Sequence, residues 1–242
     1  MASIRLRPGL DVSAYADEYQ RTKLVQISDF LDANVATVLE RSLASLPWQL
    51  VCQNENGQNL LFSKQEWAAL SQDRRGEIVR GMHERAARNL GYMYLTFPMI
   101  EAYLQRQAPE HPIHALTEFF NSPAFIAFAG AVIGYPHLTK VSAHATSYSP
   151  GHYLTRHSDE GEMYERRAAY TFGFSRDWQP DWGGLLVFLD DDMNISRGFL
   201  PRFNTLTIFD GVAVHAVTAV APFAPRSRLT VTGWFRDDPP AG

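Results

Sequence analysis

Residues 148–159 read YSPGHYLTRHSD, and the identity of the chain turns on the last seven of them. YLTRHSD reads as a strand, short and punctuated by turn residues. Side chains alternate across a strand, so His157 and Asp159 are expected on one face, with Tyr153 and Thr155 beside them. An imidazole and a carboxylate two positions apart can share one metal ion. With eight histidines in 242 residues, one His-x-Asp pair is still a common accident, so a third ligand has to come from elsewhere. FDGVAVHAVTAV offers His215 in a second strand-like run. His157, Asp159 and His215 form a two-histidine, one-carboxylate set, which leaves coordination positions open and suits non-heme Fe(II) oxygen chemistry. Taken alone, His215 also reads as a core histidine with its hydrogen bonds met.

The composition is that of a soluble globular chain, 45% apolar and 20% charged. A net charge of -4 leaves no basic excess, so no nucleic-acid partner is expected. The most apolar stretch, PAFIAFAGAVIGYP (residues 123–136), is too short to span a bilayer and carries proline at both ends. It reads as a buried helix, and no membrane is expected. MASIRLRPGLD has no apolar core of a secretory signal. Cys52 is the only cysteine, so no internal disulfide is possible and a cytoplasmic location is the default.

The texture changes near Pro136. Residues 1–135 read mainly as helices. DANVATVLERSLASL starts on an Asp cap, DRRGEIVRGMHERAARNL has a charged outer face, and NSPAFIAFAGAVIG has an Asn/Ser cap with Pro near its start. WQLVCQ and NLLFS read as a hairpin around NENGQ. Residues 136–236 are a series of short runs rich in Thr, Val, Tyr and Phe, separated by Gly, Pro, Asn and Asp. The pattern predicts a single α+β domain over residues 1–242, a β-sandwich or jelly roll covered by an N-terminal helical layer.

RLTVTGWF, after His215, places Arg228, Thr230, Thr232 and Trp234 on one face. An inward arginine is expensive unless it meets an anion, and its planar fork suits a carboxylate. Tyr148 can bring a phenol to the same pocket. An open-sided metal, an inward arginine and a tyrosine describe a site for a small diacid that chelates iron.

In this ordered set the chain resembles the iron(II)- and 2-oxoglutarate-dependent oxygenases, in particular their prolyl-hydroxylase-like branch. YSPGHYLTRHSD, RRAAYTFGFSRDW, DWGGLLVF, LPRFNTLTIFD, HAVTAV and RLTVTGWF follow the order of that branch's segments. The resemblance implies a double-stranded β-helix over residues 136–236. It implies Fe(II) on His157, Asp159 and His215, and 2-oxoglutarate on Arg228 with Tyr148 near it. O2 is the second cosubstrate, with ascorbate as a possible reductant. Asp159 implies hydroxylation, since related halogenases lack this carboxylate. Arg226 shares the parity of Arg228 but follows Pro225, which places it in a loop. Relatives often carry tyrosine where this chain has Gly173, so a gap is expected there.

The branch implies a prolyl residue in a protein or peptide as substrate. A free amino acid or small metabolite is the alternative, and a cupin-like metal-binding protein or isomerase is the alternative of another class. Arg166 and Trp234 are the candidate substrate residues, with Arg167 beside the former. His144 and His152 are read as bystanders, Asp190 to Asp192 as a solvated turn, and Trp178 and Trp182 as packing. The sequence is silent on oligomeric state.

Overall fold

The computed structural model describes residues 4–159 and 165–239. In chain order it runs α1 (Val12–Thr22), β1 (Leu24–Ile27), α2 (Ala33–Leu43), β2 (Gln49–Gln53), β3 (Asn59–Ser63), α3 (Lys64–Ala69), α4 (Gln72–Ala86) and β4 (Tyr92–Phe97). Next come α5 (Met99–Leu104), α6 (Ile113–Phe120), α7 (Pro123–Ile133), β5 (Lys140–Val141), β6 (His144–Tyr148), β7 (Tyr153–His157) and β8 (Arg166–Gly173). The last strands are β9 (Leu186–Leu189), β10 (Ile195–Phe199), β11 (Thr205–Phe209), β12 (His215–Val217) and β13 (Arg228–Arg236).

Helices begin where the chain supplies a capping oxygen. Asp11, Asp32, Ser63, Ser71 and Ser122 each accept a backbone N–H from the first turn that follows. Ser63 and Glu66 close a reciprocal capping box. α7 has proline in its first turn and stops at Gly134, whose φ of 73° is left-handed.

The strands form one curled antiparallel sheet in the order β1-β11-β8-β13-β6-β4-β7-β12-β9-β10, with the β2–β3 hairpin on β4 and β5 on β13. The architecture is the α+β jelly-roll type expected. One face is apolar and meets the helices. Tyr170, Phe172, Leu206, Ile208, Val231 and Phe235 join the helical phenylalanines there. Phe30, between β1 and α2, ties the layers together. Its ring lies 6.3, 6.0, 5.6 and 5.7 Å from those of Phe119, Phe125, Phe128 and Phe172. Each such pair adds about 0.5–1.5 kcal/mol beyond burial. On β8, β11 and β13, the alternate positions carry Thr171, Thr205, Thr207, Arg228, Thr230 and Thr232. Alternation thus gives the sheet a dry face for the core and a polar face for a site.

The structure departs from the sequence reading in three places. Residues 1–135 contribute two strands beyond the expected hairpin: β1 pairs with β11, and β4 pairs with both β6 and β7. β10 was not anticipated, because ISRGF is exposed and interrupted by Arg and Gly. Tyr153 and Thr155 do not share the face of His157. A register shift between His215 and Val217 pairs Val217 with Leu154, and a one-residue slip reverses the faces. Leu154 therefore packs with Tyr148 and Val217, whereas Thr155 Oγ1 donates to the Asn89 carbonyl and the Tyr153 ring meets His83.

No single helix among the described residues is long and apolar enough to cross a membrane.

Candidate metal centre and its surroundings

β7 and β12 place His157 directly opposite His215, with ring centroids 4.2 Å apart. Each ring is fixed from behind. Nδ1 of His157 is 2.9 Å from the Thr155 carbonyl, and Nδ1 of His215 is 2.9 Å from the Ala213 carbonyl. A carbonyl only accepts, so each Nδ1 carries a proton, which leaves Nε2 as the nitrogen that can ligate a metal. The two Nε2 atoms face Asp159, at 3.7 Å from Oδ1 and 3.4 Å from Oδ2. Asp159 lies just past β7, where its N–H donates to the Gly211 carbonyl at 2.7 Å. Ligand atoms of the three residues lie within 4.8 Å of one another, and they form the one such cluster found among the described residues. Burial, and then the adjacent His215, push the His157 pKa down. Burial pushes Asp159 up, but the neighbouring imidazoles, His215 first, outweigh it and hold the carboxyl below its usual range. Three electron-rich donors converge, two imidazole nitrogens and one carboxylate, and a divalent cation fits them.

Arg228 opens β13 opposite Tyr148 of β6 and is 2% exposed. Its guanidinium lies 5.1 Å from the Tyr148 ring centroid. No described carboxylate pairs with it, and its Nε is buried without a hydrogen-bond partner. A buried unpaired charge costs several kcal/mol, so an anion fits here. Burial pushes the Tyr148 phenol up and keeps it neutral, and the Tyr94 ring stacks on it at 4.9 Å. A small pocket beside Arg228 is lined by the polar face, including Thr171, Thr205, Thr207 and Thr230. Gly184, at φ 62°, lets the segment before β9 pass close by: a Cβ there would stand 3.4 Å from Arg228 Cδ.

The expected gap at Gly173 does not exist. The backbone of Arg202 crosses directly over it, and a Cβ would collide with the Arg202 carbonyl. Asn204 holds this crossing. Its N–H donates to the Gly173 carbonyl at 2.8 Å, and its buried side chain pairs with both backbone groups of Leu31 at 3.0 and 2.7 Å. Arg226 is exposed; its Nη1 donates to the Arg176 carbonyl at 3.4 Å, away from the pocket.

Toward the other side of the triad, the Arg166 guanidinium lies 4.0 Å over the Trp234 ring and its Nη1 donates to the Asp159 carbonyl at 3.5 Å. The buried Trp234 Nε1 faces Asp159 without an ordinary hydrogen bond. Arg167 turns away, donating to Asp237 at 2.7 Å. His144, read from the sequence as a bystander, stands on the inner face. It pairs with Thr232 across β6–β13, so it shares the inner face, and its ring is 5.9 Å from that of Trp234. Burial brings its pKa down to about 4, so it is neutral. Neither ring nitrogen of His144 has a hydrogen-bond partner among the described residues. His144 and Trp234 form the inner end of a groove of about 730 Å³ between the α5–α6 wall and the β5, β6 and β13 strands. His152 stays in the β6–β7 turn. Asp190 caps an exposed turn, accepting the N–H groups of Asp192 and Asn194 at 3.1 and 2.8 Å. Trp178 is buried packing, with Nε1 donating to the Gly183 carbonyl at 2.9 Å. The sequence reading missed Tyr94 as well as His144. The signal for Tyr94 was present in the alternation of YMYLTF, which lay within the half read as helical.

Residues 143–236 match the family model described as the 2OG-Fe(II) oxygenase superfamily, and that span holds the whole triad and Arg228. The chain carries a 2OG-Fe(II) oxygenase domain. It is an enzyme of the Fe(II)- and 2-oxoglutarate-dependent class. Several solved structures share the fold of this oxygenase. A Pseudomonas putida prolyl-4-hydroxylase is 20% identical with a TM-score of 0.52, covering 94% of this chain and 99% of its own. A 2OG-Fe(II) oxygenase family oxidoreductase from Burkholderia pseudomallei is 13% identical with a TM-score of 0.60, covering 98% and 95%. A Trichoplax adhaerens prolyl hydroxylase, solved with a hypoxia inducible factor peptide fragment, is 17% identical with a TM-score of 0.60, covering 93% and 89%. No protein of curated function matches the oxygenase sequence.

Proposed function

We propose that this oxygenase hydroxylates a C–H bond of a prolyl residue within a protein. His157, Asp159 and His215 would hold Fe(II), Arg228 would pair with the distal carboxylate of 2-oxoglutarate, and Tyr148 would hydrogen-bond near it. When bound, the iron with 2-oxoglutarate and O2 supplies the oxidising power for C–H hydroxylation. The chain's own residues position and exclude. The Thr155 and Ala213 carbonyls fix the planes of the two imidazoles. Arg228 offers a buried cation with no protein partner, a feature that a cupin-like isomerase or binding protein does not require. Asp159 occupies the position of a third ligand, which favours hydroxylation over halogenation. Ascorbate would keep the iron reduced, and a reducing cytoplasm would suit the lone buried Cys52.

The observation that carries the substrate assignment is the groove of about 730 Å³ that ends at His144 and Trp234. A free amino acid calls for a closed pocket with partners for its carboxylate and amine. The cations of this groove are already committed: Lys140 to Asp238 at 2.6 Å, and Arg236 to Asp238 at 2.7 Å and Glu165 at 3.4 Å. An internal peptide residue, which carries neither terminal charge, needs no such cation. The prolyl hydroxylases of the same fold support the reading by analogy. The test is mass spectrometry after turnover with Fe(II) and 2-oxoglutarate, on proline-containing peptides beside free amino acids. Gain of one oxygen on peptide proline is expected. Oxygen gain on free proline with peptides untouched would overturn the assignment.

A further inference from the structure

The charges of the groove are arranged unequally. On the strand wall, Lys140 and Arg236 are held by Asp238 and Glu165. On the helix wall stand Glu101 of α5 and Glu118 of α6, both exposed. Neither has a cation within ion-pairing distance among the described residues. Glu118 accepts only the Tyr103 hydroxyl, at 3.1 Å. The lip between them is apolar and open, with Leu104 64% exposed and Tyr103 40% exposed. Aromatic carbon beside two free carboxylates is a favourable seat for a long cationic side chain, whose stem packs while its head pairs. An acidic segment would meet like charge at this wall.

Resting on the reading of the site as that of a peptide hydroxylase, we propose that this groove selects a basic segment of its protein substrate. A lysine or arginine lies against Glu101 and Glu118, and the nearby prolyl residue reaches Trp234 and His144. The unpaired ring nitrogens of His144 then serve the peptide backbone, offering one donor and one acceptor. The groove is long enough in volume for several residues, so the cationic residue and the proline need not be adjacent.

The test uses the full chain loaded with Mn(II) and 2-oxoglutarate without oxygen, so that no turnover occurs. The probes are two pools of fluorescent peptides with a central proline and randomised neutral flanks. One pool carries two lysines, the other two glutamates, and binding is read by anisotropy. The lysine pool should bind about five- to tenfold more tightly, as two partly exposed ion pairs would give, and the preference should shrink with salt. It should vanish in the Glu101→Gln/Glu118→Gln variant and invert in Glu101→Lys/Glu118→Lys. Equal binding by the pools, no binding by either, or a preference indifferent to these substitutions would overturn the proposal. A parallel titration of Fe(II) and 2-oxoglutarate, read by its visible band, separates the two levels. A band without lysine preference removes the groove assignment alone, and absence of the band removes the oxygenase site reading beneath it.

Discussion

His157 and His215 face each other across the β7–β12 pair with ring centroids 4.2 Å apart, and both turn Nε2 toward Asp159. Two strand partners and one residue just past a strand end thus form three donors whose directions are set by backbone hydrogen bonds.

Asp159→Ala removes the carboxylate and leaves both rings in place. Affinity for Mn(II), measured by calorimetric titration, should fall by more than about 100-fold, beyond the 10–100-fold typical of losing an outer partner. The melting temperature without metal should change far less, because the backbone N–H that ties this residue to the Gly211 carbonyl is kept in alanine.

Arg228→Met replaces a buried cation with an apolar side chain of similar length. Stability of the ligand-free protein in denaturant should be unchanged or raised by about 1–4 kcal/mol, as for other buried charges replaced by well-packed apolar groups. The stabilisation that 2-oxoglutarate gives the metal-loaded protein should disappear. A large loss of ligand-free stability would mean that the cation is paired within the fold.

Gly173→Ala forces a methyl group onto the Arg202 carbonyl. The segment held by Asn204 would have to move, at a cost of about 3 kcal/mol or more in equilibrium unfolding. Wild-type stability in this variant would contradict the crossing over Gly173.

The C-terminal strand carries an acid-sensitive cluster. Burial raises the Asp238 pKa, but hydrogen bonds from Arg236 and Lys140 more than offset this and bring it down to about 2. A carboxyl lowered in the folded state stabilises fully above its unfolded value of about 4, and that contribution fades as pH falls toward its folded value. Between about pH 4 and pH 2 the wild type should therefore lose stability more steeply than Asp238→Asn.

Much of this was legible in the sequence because strands write their faces at period two. The inward set Arg228, Thr230, Thr232 and Trp234, the hairpin around NENGQ and the caps at Asp32 and Ser122 all follow from local rules. What stayed hidden depends on long-range pairing. The slip at β12 that turns Leu154 inward comes from β7 meeting β12. The inward turn of His144 follows from its pairing with Thr232. Gly173 looked like a missing side chain, because nothing in RAAYTFGFS announces that the backbone of Arg202 crosses above it. β4 was lost for a related reason: YMYLTF alternates, but it stands between helices and finds its partners in strands more than forty residues away.

The most direct test of the account is a titration of 2-oxoglutarate into the Fe(II)-loaded protein under strict exclusion of oxygen, followed in the visible spectrum, with Arg228→Ala and Asp159→Ala beside it. The account predicts a weak, saturable charge-transfer band from chelated iron, shifted to higher ligand concentration by Arg228→Ala and absent in Asp159→Ala. Bound iron that gives no band at any 2-oxoglutarate concentration would contradict it.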